Sequence, residues 1–197
     1  MRNFVEAIAN RRTNYALGKN IPVSKEQVVE TVQKLVHEVP SAFNMQSGRI
    51  IIATGENHDK IWNITMETLR KIVPAEAFGR TEDKIKGFAA AYGTILYFDE
   101  TATVKNMQEQ FPAYADNFPI WAQQANGMMQ FAIWTALTDL GLGVNIQHYN
   151  PLIDEEVKKT FGVPDSWQLI AEMPFGEALQ APNAITKLPI DERVKVF

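Results

Sequence analysis

Pro119-Ile120-Trp121-Ala122-Gln123-Gln124-Ala125-Asn126-Gly127-Met128-Met129-Gln130-Phe131-Ala132-Ile133-Trp134-Thr135-Ala136-Leu137-Thr138-Asp139-Leu140-Gly141 is the stretch that sets the architecture. It lacks Lys and Arg, has one acid, and places Trp121, Ala125, Met128, Met129, Phe131, Ala132, Trp134 and Leu137 over much of a helical circumference. A helix apolar on most faces belongs at the centre of a domain or in a subunit interface, with Met129 the position read as facing a partner. The spacing predicts a helix from Pro119 to Leu140 that Gly141 closes as a C-cap. Val144-Asn145-Ile146 then reads as a short strand.

Toward the N-terminus, Phe4, Val5, Ala7 and Ile8 predict a short helix running up to Arg11-Arg12. Ser24 with Gln27 forms a capping-box signal, and Val28, Val32, Leu35 and Val36 give a second helix that stops before Pro40. Arg49 to Thr54 is short, β-branched and ended by Gly55, a buried strand. Asp59 to Val73 is read as a helix ended by Pro74, and Thr94 to Phe98 as the second clear strand, followed by a polar stretch. Beyond the long helix come a short helix at Asp154 to Phe161, a fourth strand at Trp167 to Met173, and an extended tail over the last two dozen residues. Strands alternating with helices in 197 residues predict a single domain, residues 1–197, of α/β or α+β class, with too little patterning to fix the strand order.

Composition narrows the function. Hydrophobic residues make up 46% and charged residues 21%, the balance of a folded globular chain rather than a disordered one. With Cys 0, disulfide scaffolds, Cys nucleophiles and iron–sulfur clusters are excluded. A net charge of −4 opposes general affinity for nucleic acid or anionic lipid. No run approaches the ~20 apolar residues of a membrane span, and the start Met1-Arg2-Asn3-Phe4-Val5-Glu6 does not read as a secretory signal. A cytoplasmic location is the expectation.

Generic catalytic signatures are missing. His37, His58 and His148 lie far apart, and neither a Walker A nor a G-x-S-x-G sequence occurs. Gly141-Leu142-Gly143 is not a dinucleotide loop, since Ile146 stands where the third glycine is needed. Three polar clusters remain. Arg11-Arg12-Thr13-Asn14 carries two guanidinium forks and a hydroxyl, a solvated helix end or a phosphate cradle. Pro40 to Gly48 carries Ser41, Asn44, Gln46 and Ser47, a polar turn or a set of amides matching a ring edge that both donates and accepts. Gln147-His148-Tyr149-Asn150-Pro151 follows a strand, where α/β proteins place ligands, and His148 either donates protons or caps the turn. Lys187 and Arg193 in the tail either reach a phosphate or are merely solvated.

In this order the clusters resemble the FMN-dependent nitroreductase family. The features that carry the resemblance are Arg11-Arg12-Thr13, Pro40-Ser41 with Asn44 and Gln46, the long apolar helix into Gly141-Leu142-Gly143, and Lys187-Leu188-Pro189. The length, the segment Gln147 to Pro151 and the ending Glu192 to Phe197 look most like the short branch of fungal and bacterial proteins implicated in fatty-acid repression and stress responses. The resemblance implies a nitroreductase-like fold, with a central mixed or antiparallel sheet flanked by helices, in an intertwined homodimer with an extended C-terminal tail. It implies FMN as cofactor and NADH or NADPH as co-substrate. Arg11, Thr13 and Lys187 would then hold the phosphate, and Arg12 the ribityl chain or the pyrimidine edge. Asn44, Gln46 and Ser41 would meet the ring and ribityl groups, with Gln147, His148 and Tyr149 beside the ring. No metal and no dedicated catalytic pair is implied, His148 being the candidate proton donor. The activity implied is ping-pong reduction of a small-molecule acceptor, a nitroaromatic or quinone. The alternative is an FMN-binding dimeric sensor with little turnover. Thr13, Tyr15, Gln46-Ser47-Gly48 and Tyr149-Asn150-Pro151 depart from the common family pattern, and the last two departures bear on substrate class.

Overall fold

The structure is a computed structural model that describes residues 2–197. Helix α1 (Phe4–Asn10) starts at Asn3, whose side chain accepts from the Glu6 N–H while Glu6 returns the bond to the Asn3 backbone. This is a full capping box, and the spacing of Asn3 and Glu6 is the sequence signature that marks the helix start. Strand β1 (Leu17–Gly18) follows, then α2 (Lys25–Glu38), where Ser24 Oγ accepts from the Gln27 N–H. Strand β2 (Gly48–Thr54) leads through Gly55, at φ 57, into α3 (Glu56–Arg70). The left-handed glycine begins this helix three residues before the expected Asp59, and Lys71 to Val73 form a turn ahead of Pro74.

Helix α4 (Phe78–Ala89), strand β3 (Gly93–Glu100) and helix α5 (Thr101–Gln110) come next. Helix α5 falls in the stretch read as polar, and α4 falls between Pro74 and Thr94, where the sequence reading assigns no element. Their apolar faces are thin, and α5 buries only Val104. The long helix α6 (Phe118–Asp139) ends as expected: Gly141 N–H donates to Thr138 O and Leu142 N–H to Leu137 O, with Gly141 at φ 88, a Schellman closure. Strand β4 covers only Gly143–Val144, then α7 (Asp154–Phe161) and β5 (Trp167–Ala178) follow. Strand β5 continues past Met173 because Pro174 and Phe175 pair with Thr94 and Gly93. The residues that follow it are largely exposed and carry one short helix, α8 (Ile190–Arg193).

The sheet runs β1-β5-β3-β2 with β4 also on β5, and every ladder is antiparallel. An isolated parallel bridge joins Thr13 to Val144. All eight residues of β3 are buried, because helices cover both faces. Alternation along β3 sorts the core. Ile95 and Tyr97 face α2 and α6 with Val32, Ile133 and Leu137. Leu96 and Phe98 face α3, α4 and α7 with Trp62, Phe88 and Val157. Met129 belongs to the first layer at 7% exposure, so its reading as an interface residue is corrected. The apolar residues that α6 turns outward are Ile120, Met128 and Phe131.

Candidate functional site

Arg11 and Arg12 stand where α1 ends and the chain turns toward β1. The Arg11 guanidinium carbon lies 4.3 Å from the Trp134 ring centroid and 6.0 Å from that of Phe131. Its Nε is buried and has no partner. Arg12 donates through Nη2 to the Asn183 carbonyl, which ties it to the tail shortly before the exposed Lys187. Neither guanidinium meets a carboxylate within ion-pair distance among the described residues. Burial first, then the Arg12 charge, pulls the Arg11 pKa below its ordinary value. Two adjacent cations without a carboxylate form a local positive site on an acidic protein.

The next residues are bound from the far end of the chain. Asn14 N–H donates to Val144 O at 2.9 Å, and Asn14 Nδ2 to Gln180 O at 3.2 Å. Fully buried Asn145 donates from Nδ2 to Asn14 O at 2.7 Å and accepts from Gln147 Nε2 at 2.8 Å. The structure thus joins two of the sequence clusters, Arg11–Thr13 and Gln147, through Asn14 and Asn145. In the sequence Asn14 is the last member of the first cluster and Asn145 lies in a short strand, and neither residue type announces the link.

The loop from Ser41 to Arg49 is a separate cluster. Ser41 Oγ accepts from the Gln46 N–H at 2.9 Å, and Gln46 Nε2 donates to Asn44 O at 3.3 Å. Arg49 Nη1 donates to the carbonyls of Gln46 and Gly48. Phe43, Asn44 and Gln46 all hold positive φ, between 51° and 55°. For a bulky residue such as Phe43 that backbone is strained, at about 1–3 kcal/mol each for such positions. Here strain displays side chains: Asn44 and Gln46 are exposed, while Ser47 points inward with a buried hydroxyl that has no partner. Ser41, Gln46, Ser47 and Arg49 line a cavity of about 140 Å³ floored by Ala125 and Met129.

Phe43 also carries an aromatic shelf that residue types alone do not announce. Its ring stacks on Trp121 at 5.7 Å and 18°, and lies 5.0 Å from Phe111 and 5.7 Å from Tyr114. Phe43 and Tyr114 are each about half exposed. The four rings gathered beside Asn44 are tilted against one another except for the stacked Phe43–Trp121 pair, and together they present a partly exposed aromatic cluster.

The third cluster divides. Gln147 is buried and bridged to Glu172 of β5, His148 is exposed, and the Tyr149 ring packs edge-on against Trp62 and Phe88. Burial, then Glu172, pushes the Tyr149 phenol up to about 12. The histidines stay apart in space: His37 meets Glu38, and His58 is buried between Thr94 and Ala89 O. Lys187 and Arg193 sit exposed on the tail. Arg11–Thr13 and Ser41–Gln46 do not share a cavity; α6 carries Arg11 at Phe131 and Trp134, and the Ser41 loop at Ala125 and Met129.

The nitroreductase family model matches residues 8–177, from the end of α1 to the end of β5. The chain belongs to the nitroreductase family. Nitroreductase FRM2 of Saccharomyces cerevisiae is 34% identical over 186 residues, covering 93% of this chain and 92% of that protein. Nitroreductase CinD of Lactococcus lactis, solved in complex with chloramphenicol, is 44% identical and superposes with a TM-score of 0.92 over 99% of this chain and 100% of that one. A family member of Desulfovibrio desulfuricans, solved in complex with FMN, shares the fold at a TM-score of 0.72 and 17% identity, covering 100% of this chain and 99% of that one. In this nitroreductase, Arg11 to Tyr149 and the Ser41 loop all lie within the matched range, whereas Lys187 and Arg193 lie beyond it. Family membership makes the chain an oxidoreductase of the flavin-using kind.

Proposed function

We propose that this nitroreductase binds FMN, takes hydride from NADH or NADPH, and passes it to nitroaromatics, quinones or related planar acceptors. The observation that carries the reading is the pair Arg11 and Arg12, two guanidinium groups without a carboxylate partner on a chain of net charge −4. A phosphate ester supplies the missing anion, with bidentate geometry that guanidinium matches.

The residues present fit FMN. Arg11, the Thr13 hydroxyl and Lys187 hold the phosphate, and Arg12 places positive charge beside the ribityl chain and pyrimidine edge. Ser41, Asn44 and Gln46 offer both donors and acceptors to the ring edge. Gln147, His148 and Tyr149 pass beside the ring, and His148 gives a proton to the acceptor. FMN, when bound, supplies the ring that accepts and donates hydride, so that nicotinamide and acceptor react in turn at one face. The Phe43 and Trp121 shelf favours flat aromatic acceptors.

The working unit is a homodimer with each site built from both chains. That assembly answers two observations: the Arg11 and Ser41 clusters lie at different places along α6, and an apolar groove of about 590 Å³ runs between α1, α2 and α6 past Leu35, Met128 and Phe131. Steady-state oxidation of NADH and NADPH with a quinone and a nitroaromatic tests the activity. Turnover with either acceptor supports it, and a flavin-loaded protein that turns over neither is a binding or regulatory protein instead.

A further inference from the structure

Asn145 follows the two-residue strand β4 and is fully buried, although an apolar side chain would fill that place without the cost of desolvating an amide. Its bonds show what the amide does there. Nδ2 donates to the Asn14 carbonyl at 2.7 Å, and Oδ1 accepts from Gln147 Nε2 at 2.8 Å. The Asn145 N–H donates to Pro174 O at 3.2 Å, which ties its backbone to β5. Asn14 and Gln147 are buried too, so neither partner has bulk water as a substitute.

The direction of both side-chain bonds follows from one atom. A backbone carbonyl only accepts, so Asn145 turns its NH2 toward Asn14 O and its oxygen toward Gln147. The two neighbours therefore call for a donor and an acceptor on opposite arms of one short side chain. An amide of this length supplies both. A leucine supplies neither, and an ionised aspartate has no donor for Asn14 O.

The partners belong to different parts of the candidate site. Asn14 adjoins Arg11-Arg12-Thr13, and Gln147 opens the segment that runs to Tyr149. On the first side, Thr13 bridges to Val144, the Asn14 N–H donates to Val144 O at 2.9 Å, and Asn14 Nδ2 reaches Gln180 O at 3.2 Å where the tail leaves β5. On the second side, Gln147 exchanges both backbone bonds with Glu172 of β5. Arg11 has a further hold on α6 through the Trp134 ring. Thr13 and Asn14 depend instead on Val144 and Asn145, so the hydroxyl end of the cluster is the end that Asn145 steadies.

We propose that Asn145 is a positioning residue that sets the Arg11–Thr13 cluster against the Gln147–Tyr149 segment, and thereby sets how much of the flavin affinity comes from the phosphate. The inference rests on the reading that Arg11 and Thr13 hold the phosphate while Gln147 to Tyr149 pass beside the ring. Asn145 acts through these neighbours and is not itself a flavin contact. Loss of its amide frees Asn14 O and lets Thr13 drift away from Arg11, so that the two no longer close on one phosphate.

The test uses FMN and riboflavin, which share ring and ribityl chain and differ in the phosphate. The ratio of their Kd values, from fluorescence titration, isolates the phosphate contribution. In Asn145→Ala the preference for FMN over riboflavin should fall about fivefold, the equivalent of one hydrogen bond. A side chain that only supports the fold would weaken both flavins alike and leave the ratio unchanged, which would overturn the proposal. Hydrogen–deuterium exchange of the flavin-free protein tests the link itself. Peptides covering residues 11–16 should exchange faster in Asn145→Ala, while those covering 48–54 and 93–100 keep wild-type rates. Unchanged exchange at 11–16, or a rise that includes β2 and β3, would also overturn it. If Asn145→Ala does not fold, Asn145→Ser, whose hydroxyl is too short to span both partners, carries the same two measurements. Wild-type protein that binds neither flavin defeats the flavin reading and the selectivity role with it, and the exchange result still decides whether Asn145 makes the link.

Discussion

The Arg11 guanidinium carbon lies 4.3 Å from the Trp134 ring centroid, so a helix-end cation is docked on the central helix instead of trailing in water. Cation–π contact of this kind contributes about 0.5–2 kcal/mol and fixes the direction of the guanidinium. Docked in this way, Arg11 stands beside Arg12 with its Nε buried and unpartnered. Arg11→Ala should weaken FMN binding by roughly 1.5–3 kcal/mol, the range for charge-assisted hydrogen bonds, or about 10- to 150-fold in Kd. Quenching of FMN fluorescence on titration measures it. Wild-type affinity would remove Arg11 from the site.

Phe43 is held at φ 55 to present its ring beside Asn44. If the shelf receives the acceptor, Phe43→Ala should raise KM for nitroaromatics and quinones by roughly 2- to 12-fold, matching about 0.5–1.5 kcal/mol for an aromatic pair. KM for ferricyanide, which has no ring to stack, should stay unchanged. Equal effects on both acceptors would show that the ring only supports the loop.

Met128 and Phe131 are 44% and 39% exposed on a helix whose other apolar residues are mostly buried. Met128→Asp or Phe131→Glu should convert a dimer to monomers by light scattering, with loss of FMN if both chains build each site. Met129→Asp should instead unfold the protein, because Met129 lies under the sheet with Ile133. A Phe131→Glu protein that remains dimeric and yellow would contradict this face as the interface.

The fold was readable wherever one residue type dictated local geometry. Gly141 ended the long helix, Ser24 began α2, and β-branched runs marked β2 and β3. Helices α4 and α5 escaped because their few buried residues, such as Ile85 and Val104, give too thin a stripe for periodicity to register. In the site, charged and amide clusters were visible as residue types. Phe43 was not, since nothing in a sequence reports a positive φ at a non-glycine residue. Glu172 was absorbed into an apolar strand, because its role depends on which segment the chain returns across it.

Gly176 and Gly87 make a pair with opposite expectations. A Cβ at Gly176 would stand 2.2 Å from Gly18 O and 2.9 Å from Tyr92 N, both backbone atoms that cannot move without breaking the sheet. At Gly87, inside α4, a Cβ would meet nothing within 4 Å. Gly176→Ala should therefore destabilise the fold by more than about 2 kcal/mol, beyond ordinary point substitutions. Gly87→Ala should stabilise it by about 0.5–1 kcal/mol. Urea unfolding midpoints decide both, and equal midpoints for the two variants would contradict the packing around β1 and β5.

Glu172 governs stability against pH. With its carboxyl raised from 4.5 to about 8 by burial, the folded protein keeps a proton that the unfolded chain has lost across that window. Stability from this group is complete below 4.5 and falls as pH rises toward 8, at up to about 1.4 kcal/mol per unit. Glu172→Gln should remove that slope, so urea midpoints of wild type and variant should diverge between pH 5 and 8 in favour of the variant. Parallel profiles would contradict a neutral, buried Glu172.

Flavin binding, on which the proposed activity depends, is decided by the visible absorption spectrum of the purified protein, before and after denaturation, with FMN added if the preparation is colourless. Flavin bands, and release of FMN on denaturation in an amount near one per chain, are the predicted result. A colourless protein whose spectrum and fluorescence ignore added FMN would contradict the flavin reading, and with it the roles given to Arg11, Arg12, Asn44 and Gln46.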